Sequence, residues 1–227
     1  TLGGAMIPAT TGRYRVTFDC ISGEYSFGEA LSGDAVAKAN YTDTPPTIDG
    51  ELTEYDLAYG SEIMAAGDGP NNNTVTWGAK WDATNLYIAA HVVDAVVEGT
   101  NNPWDNDAIE MYIDGDNSKD GTYSAESFDT QLILDALGES VLWVKADGVA
   151  ITDEESVWKI TSDGYSIELR LAWSNFDFSP GKGRTIGWSL ANNDSDQGIG
   201  RDYQTTWYGD CNNWSDNITK FDKSGAN

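Results

Sequence analysis

Between residues 74 and 208 the chain is a succession of short β-type runs cut by turn residues, and no stretch holds a 3.6-residue apolar period beyond about two helical turns. Such a chain cannot build a helical bundle or a doubly wound sheet. The runs fall at 74–81, 86–93, 108–113, 130–134, 141–145, 156–160, 165–171, 185–191 and 205–208, with Asp147-Gly148 and Asp163-Gly164 as turn signals. Within 108–113, Ile109, Met111 and Ile113 share one face and Glu110 and Tyr112 the other. Strands of this length and spacing predict an all-β fold, an antiparallel β-sandwich or jelly roll. Upstream, Val16, Phe18 and Cys20 alternate with Arg15, Thr17 and Asp19, and a second short run follows Ser22-Gly23, which predicts a hairpin. Two strands alone are marginal in water. Residues 28–46 are small and polar, end at Pro45-Pro46 and read as a linker or an extended edge segment. The division expected is therefore 1–43, a hairpin and linker left from a preceding domain, and 44–227, the main β-sandwich. The chain starts at Thr1 with no basic, apolar leader, as a piece of a longer protein would.

Charge narrows the partners. Thirteen Lys+Arg against 37 Asp+Glu give a net charge of -24, which repels phosphate and argues against nucleic acid and anionic membrane surfaces. Disorder is excluded by nine Trp, eleven Tyr and six Phe, since disordered acidic chains lack aromatics. The most apolar stretch, 86–97, is interrupted by His91 and Asp94 and is too short for a transmembrane segment. The two cysteines, Cys20 and Cys211, give neither a disulfide framework nor zinc spacing, and nothing in the sequence requires them to pair.

Three constellations could carry chemistry. Trp104 and Trp214 each sit among Asn and Asp with almost no apolar neighbours, as rings that stack on the C–H face of a sugar would; their alternative role is to plug the ends of the sandwich. Trp77, Trp81, Trp143, Trp158, Trp173 and Trp188 lie in strand patterns and read mostly as core. Asp114, Asp116 and Asp120 space oxygens through a Gly-rich turn, and Asp194 and Asp196 form a second cluster. Hard oxygen ligands suit Ca²⁺, although Lys119 and Ala125 depart from the EF-hand pattern. For catalysis, 37 acidic residues make any carboxylate pair uninformative. The single histidine, His91, cannot form a multi-histidine zinc site; paired with Met64 or Met111 it could in principle ligate haem.

Ordered blocks then bring a family into view. Ile48-Asp49-Gly50-Glu51-Leu52, Trp81 through Ile88 with Val92-Val93-Asp94, Asn102 through Asp114, Gly164 through Glu168, Ile186-Gly187-Trp188, Asn193-Asp194, Gly200-Arg201, Thr206-Trp207 and Asn213 through Asp216 with Lys220-Phe221 occur in order. Together they resemble the family 9 carbohydrate-binding modules over residues 47–221. The resemblance implies a non-catalytic, calcium-binding β-sandwich that holds glucan or xylan chain ends between two Trp rings. Trp104 and Trp214 match those rings, and Glu110 a carboxylate that accepts hydrogen bonds from the sugar. Gln131 and Asn192 are weaker candidates for the same face. Ile133 stands where well-known members carry an arginine, and Ala191 where they carry a glutamine. The hairpin around Thr11–Phe18 resembles the final strands of a domain in starch-utilisation-type surface glycan-binding lipoproteins. The implied setting is extracellular or on the outer-membrane surface, with further domains and a glycan transporter as partners. Rival readings are a glycoside hydrolase, a haem-binding sandwich domain and a spacer with a decayed sugar site.

Overall fold

The computed structural model describes residues 14–18, 25–30, 37–61, 63–67, 72–99, 102–115, 129–136, 151–152, 154–176, 179–197 and 200–207. Trp214, Asp116, Asp120, Trp143, Cys20, Cys211 and the expected 141–145 strand lie outside them. The chain divides into two compact units, Thr1–Asp34 and Ala35–Asn227. In the first, β1 (Tyr14–Phe18) pairs antiparallel with β2 (Tyr25–Ala30), the hairpin read from the alternation.

The second unit holds two sheets. Strands β3 (Ala39–Tyr41), β4 (Tyr59–Gly60), β6 (Thr74–Trp81), β7 (Asn85–Val93), β10 (Glu154–Ile160) and β11 (Gly164–Ala172) form the six-stranded one, ordered β10-β11-β7-β6-β3 with β4 also on β6. Strands β5 (Ile63–Gly67), β8 (Ala108–Asp114), β9 (Asp129–Asp135), β12 (Gly187–Asp194) and β13 (Tyr203–Thr206) form the five-stranded one, ordered β5-β13-β12-β8-β9. The stretch read as a linker or an extended edge segment contributes β3, an edge strand paired with β6, and it belongs to the compact unit that starts at Ala35. One expectation is corrected here: that pairing is parallel, the one exception among the described pairs to an antiparallel sandwich.

The two sheets face each other across one core. Alternation places Val75, Trp77, Leu86, Ile88, Ala90, Val92, Ile167 and Leu169 of the first sheet against Ile109, Met111, Ile113, Leu132, Leu134, Trp188 and Leu190 of the second. Each fully buried aliphatic side chain contributes about 1.5–3 kcal/mol relative to exposure. Trp77 is the hub of an aromatic cluster, with ring centroids 4.8 Å from Tyr59, 5.4 Å from Trp207 and 5.9 Å from Trp188. Trp173 is buried, and Trp81 and Trp158 pack on the core from its margin. Local chemistry closes the hairpins. Between β6 and β7, Asp82 Oδ1 accepts from the amides of Thr84 and Asn85, both at 2.7 Å, an Asx-type turn. Between β10 and β11, Thr161 N donates to Gly164 O, and Gly164 has φ +151°. A Cβ there would lie 2.1 Å from the Val92 carbonyl oxygen. Gly164→Ala is therefore expected to cost at least about 2 kcal/mol of stability, read as a lowered urea midpoint with an unchanged slope.

Candidate functional site

The site grows from the face of the five-stranded sheet that turns away from the core. Register sets Glu110 opposite Ile133 on one side and Ala191 on the other, with Tyr112 opposite Gln131 and Ser189. Asn193 lies beside Gln204 one row further on. Glu110 is 2% exposed. A buried carboxylate must be matched by donors, and five converge on it. Oε2 accepts from Tyr112 Oη at 2.6 Å and Gln131 Nε2 at 2.9 Å. Oε1 accepts from Asn193 Nδ2 at 2.8 Å, Arg201 Nη1 at 3.4 Å and Gln204 Nε2 at 3.4 Å. Glu110 thus anchors a network of neighbours. Arg201 is the member of the network with an exposed fraction.

Trp104 joins this network through its backbone. It sits in the 3-10 turn Pro103–Asp105, whose Asp105 N donates to Asn102 O, and Asn193 Nδ2 lies 3.4 Å from the Trp104 carbonyl oxygen. The ring is 41% exposed while Asn106 and Asp107 beside it are fully buried. A large aromatic held out on a rigid polar base is suited to stack on a flat apolar face. Of the residues expected in a sugar site, the structure brings Trp104, Glu110 and Gln131 to one network. It does not bring Asn192, which alternation turns to the core side, where its Nδ2 donates to Asn73 Oδ1 at 2.7 Å. Its neighbour Asn193 is the one on the Glu110 face. Ile133 and Ala191 flank Glu110 and are both fully buried. Arg201, from the loop after β12, brings a positive charge to Glu110. Asn193, Arg201 and Gln204 were missed as partners. The blocks Asn193-Asp194 and Gly200-Arg201 were the available signal.

A second cluster lies where these loops meet. Asp94, Asp107 and Asp194 are all buried and each offers a carboxylate oxygen within 4.8 Å of the others. Asp107 Oδ2 accepts from Glu98 N at 2.6 Å and Oδ1 from Ser195 N at 2.9 Å, so one side chain clamps the Trp104 loop to the Arg201 loop. Burial pushes Asp107 up to about 8 despite those two amides, and the Asp94 and Asp194 charges add to the rise. Burial likewise pushes Asp194 up to about 6, with Asp196, Asp94 and Asp202 adding charge, and raises Asp94. Asp94 Oδ2 and Asp194 Oδ1 are buried with no hydrogen-bond partner among the described residues. Three converging hard oxygens with orphaned lone pairs fit a Ca²⁺ ion, whose ligands at 2.3–2.6 Å stand up to about 5 Å apart across the metal. Of the expected ligands, Asp194 belongs to this cluster. Asp196 lies next to it, accepting from Asn72 Nδ2 at 2.5 Å. Asp114 does not, since it closes the far end of β8, roughly 23 Å from Asp107 at strand rise. Of the two haem pairings, His91 with Met111 is not brought together, and the Met64 side chain lies outside the described residues. His91 lies on the outer face of its sheet with Nε2 3.2 Å from Asp163, whereas Met111 is in the core between the sheets.

Comparison with known proteins identifies the family. The family described as carbohydrate family 9 binding domain-like matches residues 48–221. The chain is 30% identical over 191 residues to an endo-1,4-beta-xylanase A of Thermotoga neapolitana, covering 82% of this chain and 17% of that protein. It is 26% identical over 196 residues to the exoglucanase XynX of Acetivibrio thermocellus, again spanning 17% of its length. A family 9 carbohydrate-binding module from Caldicellulosiruptor kristjanssonii, solved with cellotriose, superposes with a TM-score of 0.65 at 23% identity, over 81% of this chain and 91% of that one. A putative carbohydrate-binding protein from Bacteroides uniformis superposes at 0.54 and 12% identity, over 78% and 90%. These likenesses show a shared sandwich fold. The family match, covering most of the chain and both loops of the site, carries the assignment: the chain belongs to the carbohydrate family 9 binding domain-like family.

Proposed function

We propose that this domain captures β-linked glucan or xylan oligosaccharides without chemical change, by stacking a sugar on Trp104, with Trp214 as the second ring, while Arg201 and its amide neighbours take hydroxyls. The observation that carries this reading is an exposed tryptophan mounted on a buried network of Glu110, Asn193, Gln131 and Arg201. The solved family 9 module that holds cellotriose supports the choice of ligand class. Glu110 is locked among five donors, which suits a positioning role better than general acid or base work. Ca²⁺ at Asp94, Asp107 and Asp194 would hold the two site loops together. Membership of a family found in xylanases suggests an extracellular setting beside other domains. No described helix is long and apolar enough to cross a membrane. Surface display next to a glycan transporter belongs to this same proposal.

Calorimetric titration with cellotriose and xylotriose tests it. Saturable binding to at least one of them, with no shortened product by chromatography, is the expected result. Hydrolysis would move the reading to an enzyme, and no binding to either would leave a decayed site. Glu110→Gln is expected to weaken binding by about tenfold, because the neutral amide no longer holds Arg201 by charge and must present a donor to groups that are themselves donors. Normal affinity in that variant would show that the network does not position the sugar contacts.

A further inference from the structure

A cavity of about 890 Å³ lies at the end of the sandwich opposite the Asp94/Asp107/Asp194 cluster. Its position follows from register. Trp81 and Leu86 flank the β6–β7 turn, whereas Asp94 follows the other end of β7; Trp188 begins β12, whereas Asp194 ends it. The walls are indoles from both sheets, Trp77, Trp81, Trp188 and Trp207, and the volume is that of a site for a small organic ligand, roughly 300–1,000 Å³.

The charge around it runs against the rest of the chain. Among the described residues, Lys38, Lys182 and Arg184 line the cavity and no Asp or Glu does. Lys182 and Arg184 come from the loop before β12, and Lys38 from the segment leading into β3. At this edge Asp43 is engaged with the Tyr41 hydroxyl, and the Asp82 charge is felt there as well. In a protein of net charge -24, a locally basic mouth is a device for admitting an anion. The walls select its body. Sugar hydroxyls need amides and carboxylates, and Asn40 is the lining residue that offers a side-chain amide. Flat apolar rings suit the indole faces.

We propose that this cavity is a second binding site, distinct from the Trp104 site, for a planar aromatic carboxylate whose ring lies among the indoles and whose carboxylate meets Lys38 and Lys182. The test is isothermal titration of the full chain with trans-cinnamate, cinnamyl alcohol and glucuronate, each with and without saturating cellotriose. Cinnamate is expected to bind one to one and indifferently to cellotriose. The alcohol and glucuronate are each expected to bind at least about tenfold more weakly, since one lacks the charge and the other the ring. Both lysines are exposed, so the double variant Lys38→Glu, Lys182→Glu should fold, with melting checked in parallel, and should lose cinnamate affinity by at least about tenfold. Absence of saturable cinnamate binding at millimolar concentration overturns the proposal. So does equal binding of the alcohol, equal binding of glucuronate, an unchanged affinity in the lysine variant, or competition by cellotriose. Cellotriose binding itself is read in a separate titration, so failure of this site and failure of the sugar site are distinguishable.

Discussion

Trp104→Ala is expected to abolish most of the affinity for cello- or xylo-oligosaccharides while leaving the melting temperature almost unchanged. An aromatic ring that forms one wall of a binding slot is typically worth about 2–4 kcal/mol, a loss of roughly 30- to 1,000-fold in affinity. Stability should survive because the ring is 41% exposed and lies outside the core, and what the network holds is the Trp104 carbonyl, which alanine retains. The contrast is with Trp77, at 1% exposure and inside the aromatic cluster, whose truncation should cost about 3–5 kcal/mol of folding energy. Trp214→Ala should match Trp104→Ala if the second ring completes the slot. Titration calorimetry with melting curves decides the matter. Normal affinity in Trp104→Ala removes the stacking reading, and a collapse in melting temperature would make Trp104 a structural plug.

How much of this was legible beforehand depends on the range of the interaction. The strands were readable because alternation is local: the pattern of Ile109, Met111 and Ile113 against Glu110 and Tyr112 places each side chain once the strand is granted. Trp104 was readable because an indole amid Asn and Asp has no apolar neighbours to bury it. Short edge strands carry no such pattern, and β3, three exposed residues that gain order by pairing with β6, left a linker and an extended edge segment equally open. Partners brought from afar were the hardest. Asn192 and Asn193 are adjacent in sequence, and a one-residue choice of face decides which meets Glu110. Arg201 reaches Glu110 only because the 195–202 turn closes, with Asp202 N on Asp194 O and Gly200 at φ +129°. The expected metal residues were drawn from runs of neighbouring carboxylates. The buried trio takes one aspartate from just after β7, one from just before β8 and one, Asp194, from the end of β12, a meeting that the two-sheet topology creates.

Calcium should raise the melting temperature of metal-stripped protein by roughly 5–10 °C. At a free concentration a hundredfold above its dissociation constant, a ligand that binds only the folded state adds about 2.7 kcal/mol, and a domain of this size gains about 2–4 °C per kcal/mol. The physical source is the buried trio of Asp94, Asp107 and Asp194, whose mutual repulsion and desolvation are unrelieved by any cation among the described side chains near them. Asp194→Asn separates this from a general salt effect. Its oxygen can still accept from the Asn72 amide, as Asp194 Oδ2 does at 3.3 Å, while its new NH₂ donates toward the two remaining carboxylates. The variant should therefore be at least as stable as the stripped parent and yet lose the calcium increment. The same ion should be felt at the sugar site. Asp107 ties Glu98 on the Trp104 side to Ser195 on the Arg201 side, so freeing this cluster loosens both loops, and chelation should weaken cellotriose binding along with the fold. Melting curves and titrations are run with verified chelation and then with calcium restored. Equal curves in the two states, or a full calcium response in Asp194→Asn, would remove the cluster from the list of cation sites.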